Sequence, residues 1–295
     1  MFPYVKRVVA TGLTAAVVLC GASAALAAEI RNVGERTFRF APGGEVTIES
    51  QNGRIVIEAW DKPQIRVQIT RTVRAGDEAR AKELMRGLRA DVELRSDRLR
   101  IQSRYPRIRE NLGIWDILGG RVASLQVHYY LQVPRNTSFS LETSNGEIRI
   151  RGTQGSVEAA TVNGDVEVLG VNGTLELQTT NGEIRLGGIR GGAVAQTTNG
   201  AVSADFASVA NRDVVDLGTT NGNLEVSLPS DVRATLEANT TNGRVTISGF
   251  QLKTRGTLTS KSILGTIGGG GGARVALRTT NGNIDVAPTG TRRKR

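Results

Sequence analysis

Three carboxylates, Glu147, Asp165 and Glu183, recur eighteen residues apart, each two places after the Asn of a Thr-x-Asn-Gly tetrapeptide. If the chain winds so that these positions stack, neighbouring acids lie ~4.8 Å apart. Carboxylates held that close raise one another's pKa or recruit a cation. β-helical polysaccharide lyases and hydrolases place acids and bases on an outer wall of this kind. Beside the acids run Arg149, Glu167 and Arg185, so the plainer reading is a solvated face whose alternating charges cancel. A second cluster, Arg104, Tyr105, Arg107, Arg109, Trp115 and Arg121, mixes guanidinium charge with aromatic faces. That mixture suits glycans, acidic lipid or a protein partner. Its plainer reading is a loop packed over the end of a larger body, with Tyr105 and Trp115 buried.

Other chemistry is thin. The single histidine, His128, sits in Val127-His128-Tyr129-Tyr130-Leu131 and reads as a strand residue rather than a base. No nucleophile elbow, zinc-protease helix or phosphate-loop pattern occurs. The glycine run 268–272 lacks the Lys-Ser/Thr of a phosphate loop and reads as a loose connection. The calcium-binding nonapeptide is also missing. No catalytic residue, metal site or cofactor is expected.

What must position these residues is a repeat. Eight Thr- or Ser-led tetrapeptides ending in Asn-Gly begin at Ser50, Thr143, Thr161, Thr179, Thr197, Thr219, Thr240 and Thr279. Apolar residues follow each Asn by three and five places, as in Ile148 and Ile150 or Ile184 and Leu186. They also precede it by six and four places, as in Phe139 and Leu141 or Leu175 and Leu177. Period two on both sides of each corner aims one set of side chains inward from two walls. Between Asn145 and Asn199 a second corner, Gly-x-x-Gly from Gly152, Gly170 and Gly188, alternates with the first. The unit is therefore eighteen residues, with coils lengthening to 21 and 22 further on.

Asn-Gly between alternating strands is also a strong hairpin signal, so an antiparallel meander is the competing fold. A solenoid explains why alternate corners match: each stands over the last, and Thr and Asn can hydrogen-bond up the stack. Asn and Gly also suit corners that need positive φ. The expected fold is all-β, a single-stranded right-handed β-helix (β-solenoid) with 18–22-residue coils. The 39-residue gap between Thr240 and Thr279 accommodates two coils if Thr259-Ser260-Lys261-Ser262 is a degenerate corner.

Residues 76–135 interrupt the repeat. A helix over 77–89 is predicted, with Ala81, Leu84, Met85 and Leu88 on one face and Asp77 as N-cap. A hairpin over 92–103 turning at Ser96-Asp97 follows, then a basic loop, then a strand over 127–133. Such an insertion suits a cap, since an open solenoid end exposes strand edges. The solenoid domain is expected over 28–290, followed by a basic tail, 291–295.

Residues 1–27 read as a signal peptide: Lys6 and Arg7, an apolar run over 8–26, and Ala25-Leu26-Ala27 as a cleavage site. Retention as an anchor is the alternative. Cys20, the only cysteine, lies inside that segment, so the mature chain uses neither disulfides nor thiol chemistry. Losing Lys6 and Arg7 lowers the net charge by two, from +10. A basic exported protein favours anionic envelope partners. Envelope glycan, anionic lipid or another envelope protein are expected; nucleic acid is not, and oligomeric state is left open.

The motif Ser-Gln-Asn-Gly-Arg-Ile-Val-Ile at Ser50, the Thr-x-Asn-Gly series and Gly-Gly-Ala-Arg-Val-Ala-Leu-Arg-Thr-Thr-Asn-Gly from Gly271 carry a resemblance. The chain resembles the bacterial presumed-adhesin family of β-strand-repeat envelope proteins, a domain of unknown function related to toastrack proteins of envelope-stress systems. The resemblance implies a right-handed β-helix and an envelope location, periplasmic or at the cell surface, and supplies no catalytic residues. The expected function is a non-enzymatic binding, adhesion or structural module. A carbohydrate-active enzyme using the acidic ladder is the alternative. A sensor subunit is suggested by the resemblance alone.

Overall fold

A computed structural model describes residues 28–106, 124–254 and 259–290, together with the two-residue strand Ala15–Ala16. The expected signal peptide, apart from that dipeptide, and the basic tail 291–295 lie outside the described residues.

Two largely parallel sheets face one another. One holds the strands that precede the Asn-Gly corners, the other the strands that follow them. In the second sheet Ile148 pairs with Val166, Val166 with Ile184, Ile184 with Val202 and Val202 with Leu224, all parallel. In the first, Phe139 pairs with Val157, then Leu175, Ala193 and Val215. These are the positions that the apolar alternation aims inward, and the parallel pairing excludes the meander. The interior is aliphatic and closed: Ile148, Val166, Leu175, Ile184, Val202 and Leu217 are fully buried. Burying each such side chain contributes roughly 1.5–3 kcal/mol against leaving it in water.

The corners are held by two ladders. Each Asn amide donates to the side-chain oxygen of the Asn one coil away: Asn145 to Asn52, Asn163 to Asn145, Asn181 to Asn163 and Asn199 to Asn181, at 2.7–2.8 Å. Behind them the corner threonines from Thr161 onward donate to a glycine carbonyl of the neighbouring corner, as Thr161 to Gly146 at 3.1 Å and Thr179 to Gly164 at 2.9 Å. The positive-φ explanation of this corner needs correcting. Among the described residues no corner Asn has positive φ, and of the Asn-Gly glycines only Gly53 and Gly200 do, at 138° and 159°. Close approach demands glycine there: a methyl on Gly164 would lie 2.1 Å from the Gly146 carbonyl oxygen. The left-handed backbone belongs to the other corner, at Gly152, Gly170 and Gly188, with φ between 62° and 74°.

At the ends, stacking order departs from chain order. Strands Ala273–Asn281 and Ile284–Pro288, last in sequence, sit between the coil of Val214–Asn221 and that of Ala234–Asn242. Asn281 accordingly joins Asn221 to Asn242 in the ladder. Among the described residues the 39-residue gap holds no second coil. From Thr259 the chain turns into Ser262–Ile267, which runs antiparallel to Ala234–Asn242. Gly268, Gly269, Gly270 and Gly271, at φ 63–89°, then reverse it into the intercalated strand, so the glycine run is a turn of defined hand.

The N-terminal end shows the same device. Arg98–Arg104 and Ser124–Pro134, expected within a cap, form an outer coil in parallel register with Glu45–Glu49 and Ile55–Trp60. The Ser50 copy is thus enclosed between that coil and the one at Thr143. Beyond this coil, Gln64–Ala75 and Ala28–Arg39 extend one sheet as an antiparallel pair. Helix Glu78–Gly87 starts at Asp77, whose carboxylate accepts from the Arg80 amide at 2.8 Å, and buries Ala81 and Leu84. The hairpin turns at Ser96, which takes φ 47°.

Candidate functional site

The structure brings Glu147, Asp165 and Glu183 onto successive coils of one outer wall, as their spacing requires, and gives every one an arginine. Glu147 pairs with Arg149 and, at 3.0 Å, with Nε of Arg54. Asp165 lies 3.8 Å from Arg185, which also pairs with Glu183. Arg149 bridges onward to Glu167 at 2.6 Å. Asp165 further accepts from the Glu183 backbone N–H at 2.8 Å. The ladder is a charge-alternating lattice in which each carboxylate already has its cation, and no group of acids able to hold a metal occurs among the described residues.

The basic cluster divides. Arg107, Arg109, Trp115 and Arg121 lie outside the described residues. Arg104 pairs with Asp91 at 2.5 Å. Tyr105 packs against the core and spends its hydroxyl on the first ladder corner, accepting from the Asn52 N–H at 2.9 Å and donating to the Asn52 carbonyl at 3.0 Å. Both described members therefore do structural work.

A third place was not visible in the sequence. A shallow depression of about 360 Å³ opens on the same wall near the N-terminal end, lined among others by Arg31, Arg54, Gln68, Thr70, His128 and Tyr130. Cross-strand pairing assembles it: Thr70 stands opposite His128, Gln68 opposite Tyr130, and Tyr129 opposite Ile55. Only Arg54 could have been found by spacing, since it occupies in the Ser50 copy the place of Glu147, Asp165 and Glu183.

Within the depression His128 is a half-buried strand residue whose Nδ1 accepts the Arg54 backbone N–H at 3.0 Å. In the neutral ring Nε2 must then carry the proton. Burial first, then the charges of Arg54 and Arg31, pull its pKa below the usual histidine value. Tyr130 donates to Glu58 at 2.6 Å, and that bond, with burial, raises its pKa. Arg31 has no ion-pair partner among the described residues. The lining holds two guanidiniums and no carboxylate.

No described helix is long and apolar enough to cross a membrane. Similar solved structures include a presumed adhesin of Bacteroides fragilis, 10% identical, covering 86% of this chain and 96% of its own, with a TM-score of 0.42. A presumed cell adhesion protein of Clostridium sporogenes is 11% identical over 86% of this chain and 99% of its own, with a TM-score of 0.35. A presumed lipid binding protein of Parabacteroides distasonis is 12% identical over 86% and 96%, with a TM-score of 0.33. No curated protein matches the chain. The Toastrack DUF4097 profile matches residues 137–287, the stretch whose paired corners and inward side chains build the stack, and the chain belongs to that family.

Proposed function

We propose that the protein is a non-enzymatic module of the cell envelope that binds through the flat outer walls of its stack. The observation that carries this reading is the state of the acidic ladder. Cleavage of a glycosidic bond needs two carboxyl groups free to act as acid and as base or nucleophile across the scissile bond. Here Glu147, Asp165 and Glu183 are each engaged by arginine, which leaves a wall of alternating charge at strand spacing. Such a wall matches a repetitive, charged surface: an envelope glycan, an anionic lipid headgroup layer or another envelope protein. The N-terminal run of Lys6, Arg7 and an apolar segment ending in Ala25-Leu26-Ala27 supports export.

The test is a binding screen of the processed protein against envelope glycans and lipids, with product formation followed in the same samples. Saturable binding without turnover is expected. Turnover that disappears in Glu147→Gln or Asp165→Asn would replace the binding module with an enzyme.

A further inference from the structure

The geometry points to an oxyanion-binding site in the outer-wall depression, formed by Arg31, Arg54 and Nε2–H of His128, and taking a phosphate or sulfate group. It rests on the binding-module reading only for its biological source; the site can be tested without it.

The three groups come from three separated segments, and two of them, Arg54 and His128, are held in place. Arg54 is anchored through Nε by Glu147, which leaves its terminal nitrogens as donors. Arg31, on strand Ala28–Arg39, has no ion-pair partner among the described residues, lines the depression with His128, and lies near enough for its charge to act on that ring. His128 cannot present an acceptor to the depression in its neutral form, because Nδ1 is spent on the Arg54 amide. Thr70 and Gln68 add a hydroxyl and an amide to the lining. An anion there would meet two guanidiniums and an imidazole N–H with no carboxylate opposing it, the charge-assisted pattern by which proteins hold oxyanions. Groups facing His128 are Arg31 from strand Ala28–Arg39, Thr70 and Gln68 from Gln64–Ala75, Arg54 from the corner, and Tyr130 along its own strand; Glu147 stands beyond Arg54. A bound dianion offsets the repulsion from both arginines and so favours the imidazolium.

Because His128 is the only histidine, its Hε1 proton gives one NMR signal and an unambiguous reporter. Sodium sulfate, titrated against sodium chloride at matched ionic strength, is expected to shift that signal saturably and to raise the imidazole pKa. In Arg31→Ala the pKa without sulfate rises, since a repelling charge is gone, and the sulfate response is lost; Arg54→Ala weakens it at least tenfold. An absent sulfate response, or one unchanged in both variants, overturns the site. Vesicles of phosphatidylcholine with and without phosphatidylglycerol distinguish the source. Arg31-dependent binding to the anionic vesicles assigns a lipid headgroup. A sulfate response without vesicle binding assigns a soluble or polymer-borne oxyanion.

Discussion

Between Ser138 and Ser208 each coil lies on the one made just before it, eighteen residues earlier. At the two ends the chain does otherwise. Residues 45–60 are covered by a coil formed from residues 98–104 and 124–134, and residues 273–288 are slipped beneath a coil made earlier, from residues 234–247. The centre gains its order from local repetition, whereas the ends gain theirs by closing loops across 93 residues, from Asn52 to Asn145, and 60, from Asn221 to Asn281. Closing loops of that length costs chain entropy that the centre does not spend. In return, the first and last repeats have neighbours on either side, and the sheet edge passes to the three-residue strand Val245–Ile247.

The contrast can be broken at its strongest point by deleting everything after residue 270. In a simply wound stack this would remove one outer coil. Here it removes the layer between Val214–Asn221 and Ala234–Asn242, together with buried Val275, Leu277, Ile284 and Val286. At roughly 1.5–3 kcal/mol per side chain, more than ~5 kcal/mol is lost. Hydrogen exchange should show Ala234–Asn242 deprotected while residues 157–199 stay protected; retained protection of Ala234–Asn242 would mean that intercalation is dispensable.

Glycine substitutions separate the two corner types within the centre. Gly164→Ala drives a methyl into the Gly146 carbonyl and should cost about 3 kcal/mol or more, since backbone must move. Gly170→Ala meets nothing within 4 Å but keeps φ near +62°, so about 1–2 kcal/mol is expected. Urea denaturation of the pair checks the ranking, and equal losses would refute the distinction.

Threonines compare centre with end more finely. Thr161→Val removes the bond to Gly146 and should cost about 1 kcal/mol. Thr143, where the stack meets the enclosed first repeat, is buried with no partner for its hydroxyl, so Thr143→Val should be neutral or stabilising. On the outer wall, Glu147→Gln should cost about 1 kcal/mol, because its pairs with Arg54 and Arg149 are only partly shielded from solvent.

The smallest effect is a pH dependence. The folded pKa of His128 is lowered, so the folded state binds fewer protons than the unfolded one. Its contribution to stability is present above the unfolded histidine pKa, about 6.5, and is lost as pH falls from there through the lower folded value. His128→Gln should flatten this limb in denaturation curves measured from pH 5 to 8; an unchanged limb assigns it to other groups.

The repeat, the two walls and their register could be read directly, because period-two alternation and the corner tetrapeptide each report a local constraint. The order of coils at the ends could not. Every coil presents similar aliphatic pairs inward, so alternation says which face is buried and nothing about which coil lies next. The coil of Arg98–Arg104 and Ser124–Pro134 stayed hidden for a related reason: it lacks the Thr-x-Asn-Gly corner. The acidic ladder was legible as a column, and its neutral character followed from Arg149, Glu167 and Arg185 beside it. The depression was not legible, since Arg31, Thr70 and His128 meet only through strand pairings of long sequence separation.

The enclosed last repeat also decides how the molecule meets force. Tension drawn through the chain beyond Pro288 pulls on a strand gripped along both flanks, by Leu224–Leu228 on one side and Val245–Ile247 on the other. Its bonds must then give way together in shear instead of one after another in unzipping, so tugging or nibbling from that terminus meets the firmest hold the stack can offer.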